Sequence, residues 1–448
     1  MVRWILGFCL VIGGCTLADS NKPSTLRPTD VALDPAASTP LVDAPTRAAT
    51  STGCVSRLDC VLPSAPANLP DLARFAATKS PDVLAAQAKV AQAQFSVDAA
   101  RHAFYPTPYA SANSAQDGES RLTIGLDQPI STGGRLRAEL TIAQARKNAS
   151  DIQLAVAQHQ SAENLIQAYG SWMAATLRSQ AWERGLKTQD RIVAIIARRV
   201  EAGVSSASDL VLAKSRRDSV YSESLTAQSD RAAALAKLSQ TTGISLDEAK
   251  LAQNLAPEKP IRSSLQDTLA KANHSSPYLQ LADAEIAAAQ AGKASARSAF
   301  FPDVVLSMEH DKFADGRTDN RVSLGLKTKF GAGLASGSQV GIANAAVMVA
   351  ERQKQSTERG IVEQVESTYA LMTTSKQRLD ALSTIANASK EVAASTQRQF
   401  ETGVKTWQEL MSTAREVASN EANLAEVQAT YVGASWKLSL LIEGVDSL

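Results

Sequence analysis

The 448-residue chain balances 46 Lys+Arg against 45 Asp+Glu, and its formal charge of +1 lacks the basic excess that a nucleic-acid partner demands. Apolar residues make up 44 %, much of it alanine, and only 5 % of the chain is aromatic, which suits long, closely packed helices better than a bulky globular core. Four cysteines and four histidines are too few and too scattered for a metal cage; His102, His159, His274 and His310 have no spacing for metal or nucleophile work, no Gly-rich phosphate loop precedes a helix, and neither a cofactor nor an enzyme is expected.

Residues 1–14 read as a secretory signal: Arg3 supplies the positive start, and the apolar run 4–14 is well under the ~18–20 residues that span a bilayer as a helix. The run closes on Ile12-Gly13-Gly14-Cys15, which resembles the bacterial lipobox. That resemblance implies lipidation of Cys15 as the first mature residue, and Thr16 in place of Asp implies delivery to the outer membrane. The competing reading is ordinary cleavage near Ala18, which removes Cys15. Residues 15–69 are rich in Pro, Thr, Ala, Ser and Asp without an apolar period, so they form an extended tether. Cys54 and Cys60 lie within it, either bridged in an oxidising compartment or left as two free thiols.

A first repeat is expected over 70–250. Its opening helical pattern runs from Leu69 to about Phe104, restarted at Ser80-Pro81-Asp82 with a capping serine and Pro in the first turn. Two strands follow over 107–114 and 121–130, joined by Gln116-Asp117-Gly118-Glu119 as a hairpin. In the second strand Leu122, Ile124 and Leu126 alternate with Arg121, Thr123, Gly125 and Asp127, giving one apolar and one polar face. Pro129 and Gly133-Gly134 end the sheet. A helix from Arg135 to about Ala202 then covers roughly 100 Å at ~1.5 Å per residue. Gly203-Val204 interrupts it, Ser208 beside Asp209 offers an N-cap, and a return helix runs to about Thr241.

After a linker, expected over 251–275, the pattern repeats over 276–448. Ser276-Pro277 answers Ser80-Pro81 and Phe300-Phe301-Pro302 answers Phe104-Tyr105-Pro106, both at an offset of 196. The second hairpin, 303–330, is four residues longer, and beyond it the offset is 200: Tyr369 for Tyr169, Gly403-Val404 for Gly203-Val204, Leu410 for Leu210. A constant offset over such a distance is an internal duplication. Its strand alternates again, Val322, Leu324 and Leu326 against Arg321, Ser323, Gly325 and Lys327, and Thr406 is an N-cap type for the last helix. There Leu410, Thr413, Val417, Asn420, Leu424, Val427, Tyr431, Ala434, Leu438 and Leu441 step by 3 and 4, a coiled-coil seam.

Strands in hydrocarbon must close into a barrel, since lipid satisfies no exposed edge. Membrane barrels start at about 8 strands and one chain supplies four, so the pore requires a homo-oligomer; three copies bring about twelve. Arg121, Thr123, Asp127, Arg321, Ser323 and Lys327 would then line water.

Two copies of helix, β-hairpin, very long helix, Gly-Val tip and return helix resemble the outer-membrane efflux proteins of the TolC family. The likeness covers 70–448 and rests on Phe104-Tyr105-Pro106, on Gln128-Pro129-Ile130 with Gly133-Gly134-Arg135, and on the tips at 199–210 and 398–410. It implies a mainly α fold with a membrane β-barrel: a homotrimer whose twelve strands continue as a coiled-coil tunnel through the periplasm. Its implied partners are outer-membrane lipid, a periplasmic adaptor and an inner-membrane pump. By the same resemblance Gly203, Val204, Gly403 and Val404 meet the adaptor, or serve only to make the turn. Asp209, Lys405 and Glu409 fall on gate positions, with Phe400 where the family has tyrosine, so a hydroxyl-mediated link is missing; solvated charges at a helix start are the plainer reading. The motifs at Gln128-Pro129-Ile130 and Phe330-Gly331-Ala332-Gly333-Leu334-Ala335-Ser336 look more like channels of type I protein secretion than of drug or metal-ion efflux. The alternative to a pore is a lipid-anchored periplasmic coiled-coil scaffold.

Overall fold

The computed structural model describes residues 68–114, 120–259, 263–327 and 335–445. The signal, Cys15 and the Cys54/Cys60 pair lie outside the described residues. Two short helices open the first repeat, α1 (Leu69–Lys79) and α2 (Pro81–His102). Ser80 separates them because its side chain accepts from the Val83 N–H while Pro81 cannot continue the α1 ladder. Strands β1 (Thr107–Ser114) and β2 (Ser120–Ser131) follow, then α3 (Arg135–Glu201) and α4 (Ala207–Thr242). A connector carries α5 (Glu248–Gln253) and α6 (Leu265–Ser275). The second repeat has α7 (Pro277–Ser298), β3 (Asp303–Phe313), β4 (Thr318–Lys327), α8 (Ser336–Glu401) and α9 (Trp407–Glu443).

At 67 residues α3 is about 100 Å long, and α8 at 66 residues matches it. In a protein most of the stability of such a helix comes from packing along its length. Helix α3 packs against α4 on one side and α9 on the other, and α8 flanks α9, giving a row α4–α3–α9–α8. Toward the sheet the row is α2–α3–α7–α8. Along the first half of α9 the buried positions are Trp407, Leu410, Met411, Ala414, Ala418, Ala422 and Ala425; of the expected seam Leu410, Val427, Tyr431, Ala434, Leu438 and Leu441 are buried, while Thr413, Val417, Asn420 and Leu424 are only half-buried. The reason is that α9 serves two neighbours, and the closer contact selects the smallest side chains. A Cβ on Gly185 would lie 2.5 Å from that of Ala418.

The largest apolar cluster among the described residues joins α1, α3, α4, α5 and α9 around Trp172, Tyr169, Leu165, Leu72, Leu238 and Trp436. Its aromatics also tether the connector. The Tyr169 hydroxyl accepts from the Ala256 N–H at 2.8 Å, the Trp436 indole donates to the Pro257 carbonyl at 3.0 Å, and Arg231 pairs with Glu248 at 2.5 Å.

Candidate functional site

The four strands form one antiparallel sheet in the order β1-β2-β3-β4. Register fixes which side chains share a face: Tyr109 pairs with Gly125, Thr123 with Asp311, Asp127 with Ser307, and Glu309 with Arg321. One face is therefore polar on every strand. Its groups satisfy one another: the Thr123 hydroxyl donates to Asp311 at 2.5 Å, Arg121 reaches Asp311 at 3.5 Å, Ser307 donates to Asp127 at 2.6 Å, and Arg321 lies 3.4 Å from Asp319 and 4.0 Å from Glu309. Tyr109 lies across Gly125, where a Cβ would meet the ring at 2.3 Å, and donates to Glu309 at 2.7 Å on the strand beyond. Thr123 and Asp311 are only 5 % and 2 % exposed, so this face is the crowded one.

The opposite face is largely apolar and bare, with His310 and Lys312 on it only toward the β3–β4 turn. Leu122, Ile124, Leu126, Met308, Val322, Leu324 and Leu326 are exposed, the last three at about 70 %. Polar inside and apolar outside is the reverse of a water-soluble sheet and the arrangement of a sheet in lipid. At its base, Phe104, Tyr105, Phe300 and Phe301 are exposed where helices give way to strands, as aromatic residues stand at a membrane–water boundary. The junction itself is built by the glycine motif. Gly133 (φ +56°) seats against Phe301, Gln128 donates to the Phe104 carbonyl at 3.1 Å, and Arg135 binds Asp303 at 3.1 Å.

The other end of the long helices carries the two tips. In each, a left-handed glycine ends the descending helix: Gly203 has φ +70° and Gly403 φ +79°. The next N–H closes back on the helix, Val204 to the Arg199 carbonyl and Val404 to the Gln399 carbonyl, both at 2.8 Å. This is a Schellman closure. The ascending helix starts with a reciprocal capping box, Ser206 with Asp209 and Thr406 with Glu409. Ser206, not Ser208, is the first N-cap, because its side chain accepts from the Asp209 N–H at 3.1 Å. The offset of 200 pairs Ser206 with Thr406, and S-x-x-D beside T-x-x-E was the sequence signal for it.

Asp209 and Glu409 thus each have work inside their own tip. The Ser206 hydroxyl and N–H hold the Asp209 carboxyl below the usual range. Lys405 at 2.7 Å, with the Thr406 N–H and hydroxyl, pulls Glu409 down to about 2. Phe400 is buried with Ile192, Ile196, Trp407 and Leu410, with the Arg199 guanidinium 5.3 Å from its ring centre. Trp407, which sequence reading passed over, is likewise buried with Arg216 above it. Val204 and Val404 project outward, 64 % and 73 % exposed.

No group of His, Cys, Asp or Glu that could hold a metal exists among the described residues, and no helix there is long and apolar enough to cross a membrane. Comparison with curated proteins by sequence found no match. Among solved structures, the Campylobacter jejuni CmeC outer membrane channel superposes with a TM-score of 0.72 at 14 % identity, over 84 % of this chain and 85 % of that one. The open-state MtrE outer membrane channel of Neisseria gonorrhoeae gives 0.70 at 19 % identity, over 84 % and 89 %. The outer membrane protein VceC of Vibrio cholerae gives 0.69 at 16 % identity, over 84 % and 96 %. At such identities the likeness is one of fold. The outer membrane efflux protein family model matches twice, at residues 72–244 and 268–443.

Proposed function

Because the chain belongs to the outer membrane efflux protein family, we propose that it is the outer-membrane channel of a tripartite export system, a passive exit duct driven by an inner-membrane pump. The observation that carries the reading is the sheet: one face is largely apolar and bare while the other holds a self-satisfied polar network. Four strands leave two open edges, and three copies supply the twelve strands of a closed homotrimeric barrel. In that barrel Arg121, Thr123, Asp127, Arg321, Ser323 and Lys327 belong to the water-facing wall. No step in the export is chemical; the duct offers a wet path.

On this reading Cys15 carries the lipid anchor in the outer membrane of a Gram-negative cell. Gly203, Val204, Gly403 and Val404 meet the periplasmic adaptor, and exposed valines on rigid turns support that assignment. Asp209, Phe400, Lys405 and Glu409 stand at the periplasmic entrance as its gate. Type I protein secretion is the finer cargo reading, over drug or metal-ion efflux, and it rests on the motif likeness at 128–135 and 330–336 alone.

The test is reconstitution. Purified in detergent and added to planar bilayers, the protein is expected to migrate as a heat-modifiable trimer and to conduct ions. An elongated single subunit, soluble without detergent and silent in bilayers, would replace this reading with the scaffold. The pump recovered after crosslinking at the tips decides the cargo class.

A further inference from the structure

The contacts that join the two repeats inside one chain are available a second time at the chain's two flanks. One flank consists of α2, α4 and the open edge of β1; the other consists of α8 and the open edge of β4. Inside the chain, β2 meets β3 and α3 meets α9. Carried through the offsets of the duplication, 196 and 200, those pairs become β4 against β1 and α8 against α4. We infer that the flanks bind a second copy of this chain in the register of the internal seam, and that Lys237 of one copy pairs with Glu363 of the next. The inference rests on the homotrimer proposed above and adds the residues that set it.

The charge pattern carries the argument. Within the chain, Lys437 on α9 bonds Glu163 on α3 at 2.8 Å. Their equivalents 200 residues away are Lys237 on α4 and Glu363 on α8. Both are exposed, and neither has an ion-pair partner among the described residues. A duplicated cation and a duplicated anion, each left single on opposite flanks, fit one another across copies.

The apolar pattern agrees. The buried Ile192 and Met411 of the internal seam correspond to Val392 on α8 and Val211 on α4, 53 % and 68 % exposed. The close contact of Gly185 with Ala418 corresponds to Ile385 opposite Asp218. Ile385 is bulkier than Gly185, so the seam between copies is the wider of the two. In the sheet, Asp127 opposite Ser307 becomes Lys327 opposite Ser111, and Leu126 opposite Met308 becomes Leu326 opposite Ala112. This keeps Lys327 and Ser111 on the polar face and Leu326 and Ala112 on the apolar one.

Cysteine pairs test the register in the full-length, detergent-purified protein. Asp218→Cys with Ile385→Cys is expected to oxidise to linked species of up to three chains on a non-reducing gel, while each single variant, carrying only the natural cysteines as background, gives none beyond that background. Asp218→Cys with Leu371→Cys, about four turns out of register, is expected to stay unlinked. In parallel, Lys237→Glu or Glu363→Lys alone is expected to lower the assembled fraction at low salt several-fold, and the double reversal to restore it. Trimers that link through Leu371→Cys, or trimers indifferent to both charge reversals and unlinked at Ile385→Cys, would overturn the register and leave the channel standing. A single subunit under every condition would sink the trimer itself.

Discussion

The sheet and the tips both expose apolar side chains, and they do so in opposite manners. On the sheet Leu126 on β2, Leu306 and Met308 on β3 and Val322, Leu324 and Leu326 on β4 make an apolar face three strands wide, bounded toward the β3–β4 turn by His310 and Lys312, which lie opposite Ile124 and Leu122. At the tips Val204 and Val404 are single residues, each at the end of a turn whose polar groups are capped. A continuous face of that kind calls for an apolar solvent, whereas an isolated valine calls for nothing and is at most one anchor for a small contact. The same element of surface chemistry therefore marks lipid at one end of the molecule and, on the proposed function, a protein partner at the other.

The sharpest way to break the comparison is to place the same charge at both ends. Leu324→Arg is expected to destabilise the embedded barrel by about 2–4 kcal/mol if that position sits near the bilayer midplane, seen as loss of the heat-modifiable band. Val404→Arg is expected to leave that band intact. Equal losses from both would erase the distinction. Next in size is Gly125→Ala, whose methyl would collide with Tyr109 and drive it off Glu309. Overpacking of this kind costs about 1–3 kcal/mol, read as a fall in Tm in detergent. Gly325→Ala, with only the Val305 carbonyl at 3.8 Å, is the mild control from the second repeat.

At the tips the expected effects are smaller and local. Thr406→Ala removes the cap of α9 at a cost of about 1 kcal/mol and should raise amide exchange in the first turn of α9 while leaving the sheet protected. The smallest effect is with pH. The Glu409 carboxyl is lowered from 4.5 to about 2 in the fold, so its contribution is complete above its ordinary range and fades as pH falls through about 2. Amide protection at the start of α9 should hold from neutral pH to about 5 and decline below, and Glu409→Gln should flatten that decline. A decline of the same size in the variant would assign the pH response to another group.

The duplication, the two faces of β2 and β4 and the glycine tips were legible because each follows from local pattern: an offset, a period of two, a residue type that adopts φ > 0. Three things were not. Ser208 looked the better cap beside Asp209, because local propensity does not say which serine has helical backbone; Ser206 won through the reciprocal bond to Asp209. Tyr109 reaching over Gly125 to Glu309 depends on pairing between strands about 200 residues apart, which no window on the sequence contains. The split of α9 between two neighbours, and hence its alanine stripe, depends on where α3 and α8 stand. The motif at 128–135, taken as a family mark, also has a plain mechanical job in holding the strand-to-helix corner.

Each tip satisfies its own donors, with Schellman closure on one side and capping box on the other. Such a turn holds its own backbone shape, and Phe400 and Trp407, buried against Ile192 and Ile196, tie the second tip to the first, so the two can be carried together without melting. On the proposed function, a widening of that end would then fall to the long helices α3 and α8 and be spread over many residues instead of a hinge.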